Sequence, residues 1–259
     1  MEEEGGEASR LAYNRYDQRP AEVARLTAAL AAAGYGNVAT FLDVGTDGQA
    51  FGCSDATHAL LAIRGTQPDA VGDLFNDVDA LLTPWMDGPP GAKVHAGFKR
   101  SAEGLWDDVG PWVAEQKGKR LTLCGHSLGA AIATLLCRRA NADALVTIGS
   151  PRVGNEVFAS DVTTYLSVVG REHHRIVNCC DVVARIPPEW AAYYHLGGDW
   201  TYIDGNGAIH VSPTPTFVDG DRPRAALEYL RQYAFQRGAV LVRDLADHAP
   251  INCLRAFWS

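Results

Sequence analysis

The chain has 259 residues, 47% of them hydrophobic and 21% charged, enough for one large core and short for two domains with separate cores. With 23 Lys+Arg against 31 Asp+Glu the formal charge is -8, which argues against nucleic acid or an anionic membrane surface as the main partner. The most apolar stretch, 121–137, is interrupted by Gly125, His126 and Ser127 and is shorter than the roughly 18 residues a membrane helix needs, so no transmembrane segment is expected.

Residues 1–10, M-E-E-E-G-G-E-A-S-R, offer almost no apolar side chains and read as a disordered lead-in to a single domain over 11–259. They lack the basic start and apolar core of a secretory signal, which suggests a cytoplasmic chain, or a secreted one whose signal has been removed. Over 20–33 a proline start, Val23, Leu26 and Leu30 at helical spacing and a stop at Gly34 predict a surface helix. Short β-type runs then predict two hairpin strands and a buried one between 40 and 63, with further buried strands at 121–124, 145–148 and 175–179. Helical patterns at 98–116 and 128–139 lie between them. Alternating strands and helices make the fold class α/β, with a mostly parallel central sheet and helices on both faces. The prolines of 211–216 mark a loop too short to be a linker.

Residues 125–129 read Gly-His-Ser-Leu-Gly. Glycine is 26 of 259 residues, so a given serine is bracketed this way by accident about one time in a hundred. The context is more selective: an apolar strand, R-L-T-L-C, leads in and an alanine-rich helix leads out, the strand-turn-helix setting of a nucleophile elbow. Such a turn puts Ser127 in a strained backbone conformation, with Gly125 and Gly129 removing side chains that would collide. A serine hydroxyl needs a base to become nucleophilic, and the helix N-terminus offers free N–H groups for an oxyanion.

The acid partner should follow a later strand, with the histidine after it in the chain. Asp181 meets this rule. Asp143 precedes its strand, and Asp161 is placed in a loop. His195, His210 and His248 all come late enough to be the base, and the pattern does not choose among them.

The chain resembles the class 3 lipases, a family of fungal triacylglycerol lipases with bacterial and plant relatives. The resemblance rests on A-I-R-G-T at 62–66, V-H-A-G-F at 94–98, C-G-H-S-L-G-A at 124–130, T-I-G-S-P-R-V-G-N at 147–155, V-N-C-C-D-V-V-A-R-I-P-P at 177–188, Y-H-L-G at 194–197 and D-H at 247–248. It implies the α/β-hydrolase fold, with Ser127 as nucleophile, Asp181 as the acid and His248 as the base. It also implies Thr66 and Leu128 as oxyanion donors, and structural roles for His126 and His195. Where the family usually has an aromatic residue three positions after the histidine, this chain has Ile251, preceded by Pro250.

Within 67–93, Val71, Leu74, Phe75, Val78, Leu82 and Trp85 recur at helical spacing. An amphipathic helix in this position resembles the family's lid over the acyl pocket, and a helix fixed on the core would show the same pattern. His173-His174 and Cys179-Cys180-Asp181 fit no common zinc spacing, and the six cysteines contain no C-x-x-C pair. No metal and no cofactor is expected. The resulting expectation is a monomeric serine hydrolase acting on lipid esters, with a lipid-water interface as a candidate setting, through a covalent acyl-enzyme. The alternatives are a carboxylesterase for short-chain or aromatic acids and a non-catalytic binding protein on the same fold.

Overall fold

The computed structural model describes residues 2–13, 20–65, 81–233 and 243–258. An eight-stranded sheet organises them. β1 (Gly36–Asp43), β2 (Gly48–Ser54) and β3 (His58–Ile63) form the expected antiparallel meander. β3 then pairs in parallel with β6 (Arg120–His126), β6 with β7 (Ala144–Ile148), β7 with β8 (Glu172–Asn178) and β8 with β9 (Thr201–Ile203). β10 (Ile209–Val211) closes the far edge antiparallel to β9.

Alternation along the strands splits the core into two layers. Leu61, Ile63, Leu123 and Leu145 face a layer completed by α3 (Ala96–Glu115), α4 (Leu128–Arg139) and α5 (Glu156–Leu166) through Leu105, Ile132, Leu135, Phe158 and Val162. Leu60, Ala62, Cys124 and Val146 face the opposite layer, with α1 (Glu2–Leu11), α2 (Pro20–Ala32) and α8 (Pro250–Leu254). Crossover helices on one face and terminal helices on the other give the two-sided cover that a parallel sheet requires.

Three readings of the sequence are corrected. The expected disordered lead-in at 1–10 is, over the described residues, the helix Glu2–Leu11. Ala8, Ser9 and Ala12 are buried, and a Cβ on Gly5 would stand 2.8 Å from the Val146 side chain. Small residues let this helix lie almost backbone-on-sheet, a form of burial that carries little hydropathic signal. Asp161 is on α5 rather than in a loop, and it pairs with Arg138. The capping signal was present: Asn155 accepts the Phe158 N–H at 3.1 Å.

The third correction concerns 67–93. Val71, Leu74, Phe75 and Val78 lie outside the described residues, but Leu82 sits in a short strand, β4 (Leu82–Pro84), antiparallel to β5 (Lys93–His95). Trp85 is 6% exposed and packs in the same core layer as Ala92 and Phe98. A helical stripe therefore does not extend to Leu82 and Trp85, because the Lys93–His95 strand draws this end of the segment into a hairpin. Further elements not read from the sequence include β9, β10, α6 (Pro215–Tyr233), α7 (Arg243–Ala246) and α8. Among the described residues no helix is long and apolar enough to cross a membrane.

Candidate active site

Parallel pairing brings the carboxyl ends of β3, β6, β7 and β8 side by side, and the chemistry-bearing residues collect along that edge. At the end of β6, Ser127 has φ 58 and ψ -127, the strained conformation expected of an elbow, at a cost of about 1–3 kcal/mol. The flanking glycines are sterically required: a Cβ on Gly125 would overlap the Gly129 backbone, and one on Gly129 would overlap the Ile63 carbonyl. Ala130, Ala131 and Ala133 are fully buried, holding α4 close against the sheet.

Asp181 follows β8 in the next turn of chain, fully buried. Its Oδ1 accepts the Val183 N–H at 2.9 Å and the His248 Nδ1–H at 2.9 Å. With Nδ1 donating, His248 Nε2 carries the lone pair and accepts from the Ser127 hydroxyl at 2.9 Å. The three side chains thus form one continuous hydrogen-bonded line, ordered for moving a proton off Ser127. Leu128 opens α4, so its N–H belongs to the first helical turn, where backbone donors lack intrahelical acceptors. Thr66 lies outside the described residues. The strand before it is anchored by Arg64, which is buried and pairs with Asp47 at 2.9 Å and with Gln49.

The other histidines separate cleanly. His195 Nε2–H donates to the Ala184 carbonyl at 2.8 Å, and burial together with the nearby Arg175 charge pushes its pKa well below the ordinary value. His210 bonds to Asp204 at 2.9 Å, remote in the chain from the elbow. His126 is held neutral by burial and by the neighbouring His248. Its Nε2–H donates to the His248 carbonyl at 2.6 Å, and its Nδ1 accepts the Tyr13 hydroxyl at 2.6 Å. His126 therefore fixes the backbone of His248. Asp143 is spent on the Leu121 N–H at 2.8 Å.

Three supporting residues were not read from the sequence. Tyr13 completes the chain to His126. Gly149, at φ +54, lies beneath Asp181, where a Cβ would stand 2.5 Å from Oδ2 and 3.2 Å from His248 Nδ1. Asp247 joins the two loops: its Oδ2 accepts the Cys180 N–H at 3.0 Å and the Arg243 Nε–H at 2.9 Å, while its carbonyl accepts from Asn178 at 3.0 Å. The G-S-P motif and the D-H pair were the available signals for Gly149 and Asp247. Ile251, which replaces the family's usual aromatic residue, is 42% exposed, and the hydrogen bonds that hold His248 come from other residues.

The family model for class 3 lipases matches residues 60–190, half of the chain. A secreted mono- and diacylglycerol lipase of Malassezia globosa is 34% identical over 159 residues, covering 55% of this chain and 51% of that protein. A secreted mono- and diacylglycerol lipase of Malassezia restricta is 32% identical over 194 residues, covering 64% of this chain and 63% of the relative. The chain thus spans about half to two thirds of the length of these curated relatives. Lipase II from Rhizopus niveus superposes with a TM-score of 0.67 at 25% identity, covering 82% of this chain and 83% of that one. A lipase of Rhizopus microsporus var. chinensis shares the fold with a TM-score of 0.69 at 24% identity, covering 98% of this chain and 88% of the other. With the motif order, the α/β-hydrolase architecture and the family model in agreement, the chain belongs to the class 3 lipase family.

Proposed function

We propose that the chain is a serine-dependent carboxylic ester hydrolase that acts on lipid esters through a covalent acyl-enzyme. The observation that carries this reading is the unbroken Ser127–His248–Asp181 line, at 2.9 Å per bond, on a strained elbow. Ser127 Oγ attacks the ester carbonyl as His248 Nε2 takes its proton. Asp181 stabilises the imidazolium, and the Leu128 N–H together with Thr66 holds the oxyanion. His248 then returns the proton to the leaving alcohol, and water repeats the cycle to release the acid.

The relatives named as mono- and diacylglycerol lipases support acylglycerols as the substrate class, and their description as secreted supports an exported protein over the cytoplasmic expectation. In the same reading Val71, Leu74, Phe75 and Val78 are candidate lid residues over the acyl pocket, with residues fixed on the core as the alternative, and the chain acts as a monomer. A fluorophosphonate probe tests the core of the proposal. It should label Ser127 stoichiometrically, and wild-type protein should release fatty acid from mono- and diacylglycerol emulsions. A folded protein that takes no label on Ser127 would refute the acyl-enzyme and favour the binding-protein alternative; labelling with hydrolysis confined to short-chain soluble esters would favour the carboxylesterase.

A further inference from the structure

The turn between β8 and Asp181 carries two adjacent cysteines that take no part in the triad. Both are buried, and their sulfurs lie 3.6 Å apart. The Asp247 carboxylate, 67 positions downstream of Cys180, completes the group: one ligand atom from each of the three residues lies within 4.8 Å of the others. We propose that Cys179, Cys180 and Asp247 form a binding site for one thiophilic divalent cation of the zinc or cadmium class, which clips the loop bearing Asp181 to the loop bearing His248.

The sulfur separation distinguishes this from a disulfide. Two thiolates bound to one tetrahedral zinc at about 2.3 Å each are about 3.8 Å apart, close to the 3.6 Å observed. A disulfide needs about 2.05 Å. Two sulfurs and one carboxylate oxygen form a donor set suited to a borderline-soft cation with one coordination position left over for water. Among the described residues the Asp247 carboxylate accepts two hydrogen bonds, both on Oδ2, which leaves Oδ1 lone pairs for a cation.

The charges present suit a cation-thiolate centre. Two thiolates and a carboxylate exceed a divalent cation by one negative charge, and Arg243 is already paired with Asp247 at 2.9 Å. Arg222 donates to the Cys179 carbonyl at 2.9 Å. Binding would give up the thiol contacts from Cys179 to the Asp221 carboxylate at 3.2 Å and from Cys180 to the Arg222 carbonyl at 3.4 Å, and the Asp221 charge left beside the Cys179 sulfur is already offset by Arg224 at 2.6 Å. Among the described residues, Asp247 and Arg243 also line a cavity of about 610 Å³ bordered by Asn178, Asp204 and Asn252. Spacing along the chain did not reveal the cation site because the third ligand comes from a separate element.

Cys180 is the direct chain neighbour of Asp181, and Asp247 of His248. A cation held by both therefore reinforces the loop-to-loop link that the Cys180 N–H already makes to Asp247, beside the 2.9 Å bond between acid and base. The test is titration of the full, reduced chain with cadmium chloride, read by the ultraviolet thiolate-to-cadmium charge-transfer band and by thermal unfolding. One cadmium per chain should saturate the band and raise Tm. Cys179→Ser combined with Cys180→Ser should abolish both effects while Cys53, Cys124, Cys137 and Cys253 remain, and Asp247→Asn should weaken cadmium binding by at least about tenfold. Circular dichroism and fluorophosphonate labelling establish that each variant is folded, and Cys179→Ser alone serves if the double variant is not. Absence of the band in wild type, or its persistence in the serine variants, would overturn the site; binding with no rise in Tm would overturn the clip.

Discussion

Substituting Gly149 by alanine should damage catalysis without touching a reacting atom. The added Cβ would stand 2.5 Å from Asp181 Oδ2 and 3.2 Å from His248 Nδ1, whereas a relaxed carbon-oxygen contact needs about 3.3 Å or more, so the carboxylate must retreat by about 0.8 Å. Asp181 cannot retreat freely, because its Oδ1 is fixed by the Val183 N–H and by His248, both at 2.9 Å. Retreat therefore lengthens the bond that holds the imidazole in its working tautomer. Displacements of this order cost about 10–100-fold in rate, and the positive φ of +54 adds about 1–3 kcal/mol of backbone strain for a residue with a side chain. Initial rates on a soluble short-chain ester should show kcat reduced about 10–100-fold with KM little changed, and urea unfolding should show the matching loss of stability. A variant with wild-type kcat would refute the claim that Gly149 sets the position of the acid.

Ser127→Ala should remain folded and lose ester hydrolysis by several orders of magnitude, since nucleophile and base act as a unit; near wild-type turnover would end the elbow argument. His248→Ala should be inactive and His210→Ala active on the same ester, and the reverse result would reassign the base. Acidification should destabilise the fold before most carboxylates titrate. His126 and His195 are held well below their ordinary values and His173 is lowered to about 4, in each case chiefly by burial. The unfolded chain then binds more protons below about pH 6.5. Stability present above that value is lost as pH falls through it, by about 1 kcal/mol for each histidine between pH 6.5 and 5.5, and urea midpoints that stay flat over that range would contradict it. Replacing Leu74 and Phe75 by serine should lower activity on emulsified long-chain acylglycerol while sparing a soluble short-chain ester; equal losses on both with a lower Tm would show that these side chains belong to the core.

The readable parts of this protein are those whose physics is local. Strand alternation, the Pro20 start and the Gly-His-Ser-Leu-Gly turn each depend on residues within a few positions of one another, and each is found where the sequence puts it. The N-terminal helix was misread because its contact with the sheet is made by Gly5, Ala8, Ser9 and Ala12, residues that pack by being small. The three late histidines are alike in pattern because the partner that separates them is set by the fold: the Ala184 carbonyl for His195, Asp204 across a hairpin for His210, and Asp181 with Ser127, far off in the chain, for His248.

The same principle explains why His248 tolerates an isoleucine where the family usually has an aromatic residue. A base carried on a short connection between α7 and α8 needs its orientation imposed from outside that connection. Four bonds supply it: His126 to the His248 carbonyl, Asn178 to the Asp247 carbonyl, the Cys180 N–H to the Asp247 carboxylate, and Asp181 to the ring itself. All four originate on β6, on β8 or in the turn that follows β8, the rigid parallel centre of the sheet. The placement of His248 is thus inherited from the strands that present Ser127 and Asp181, and half-exposed Ile251 supplies none of these four bonds.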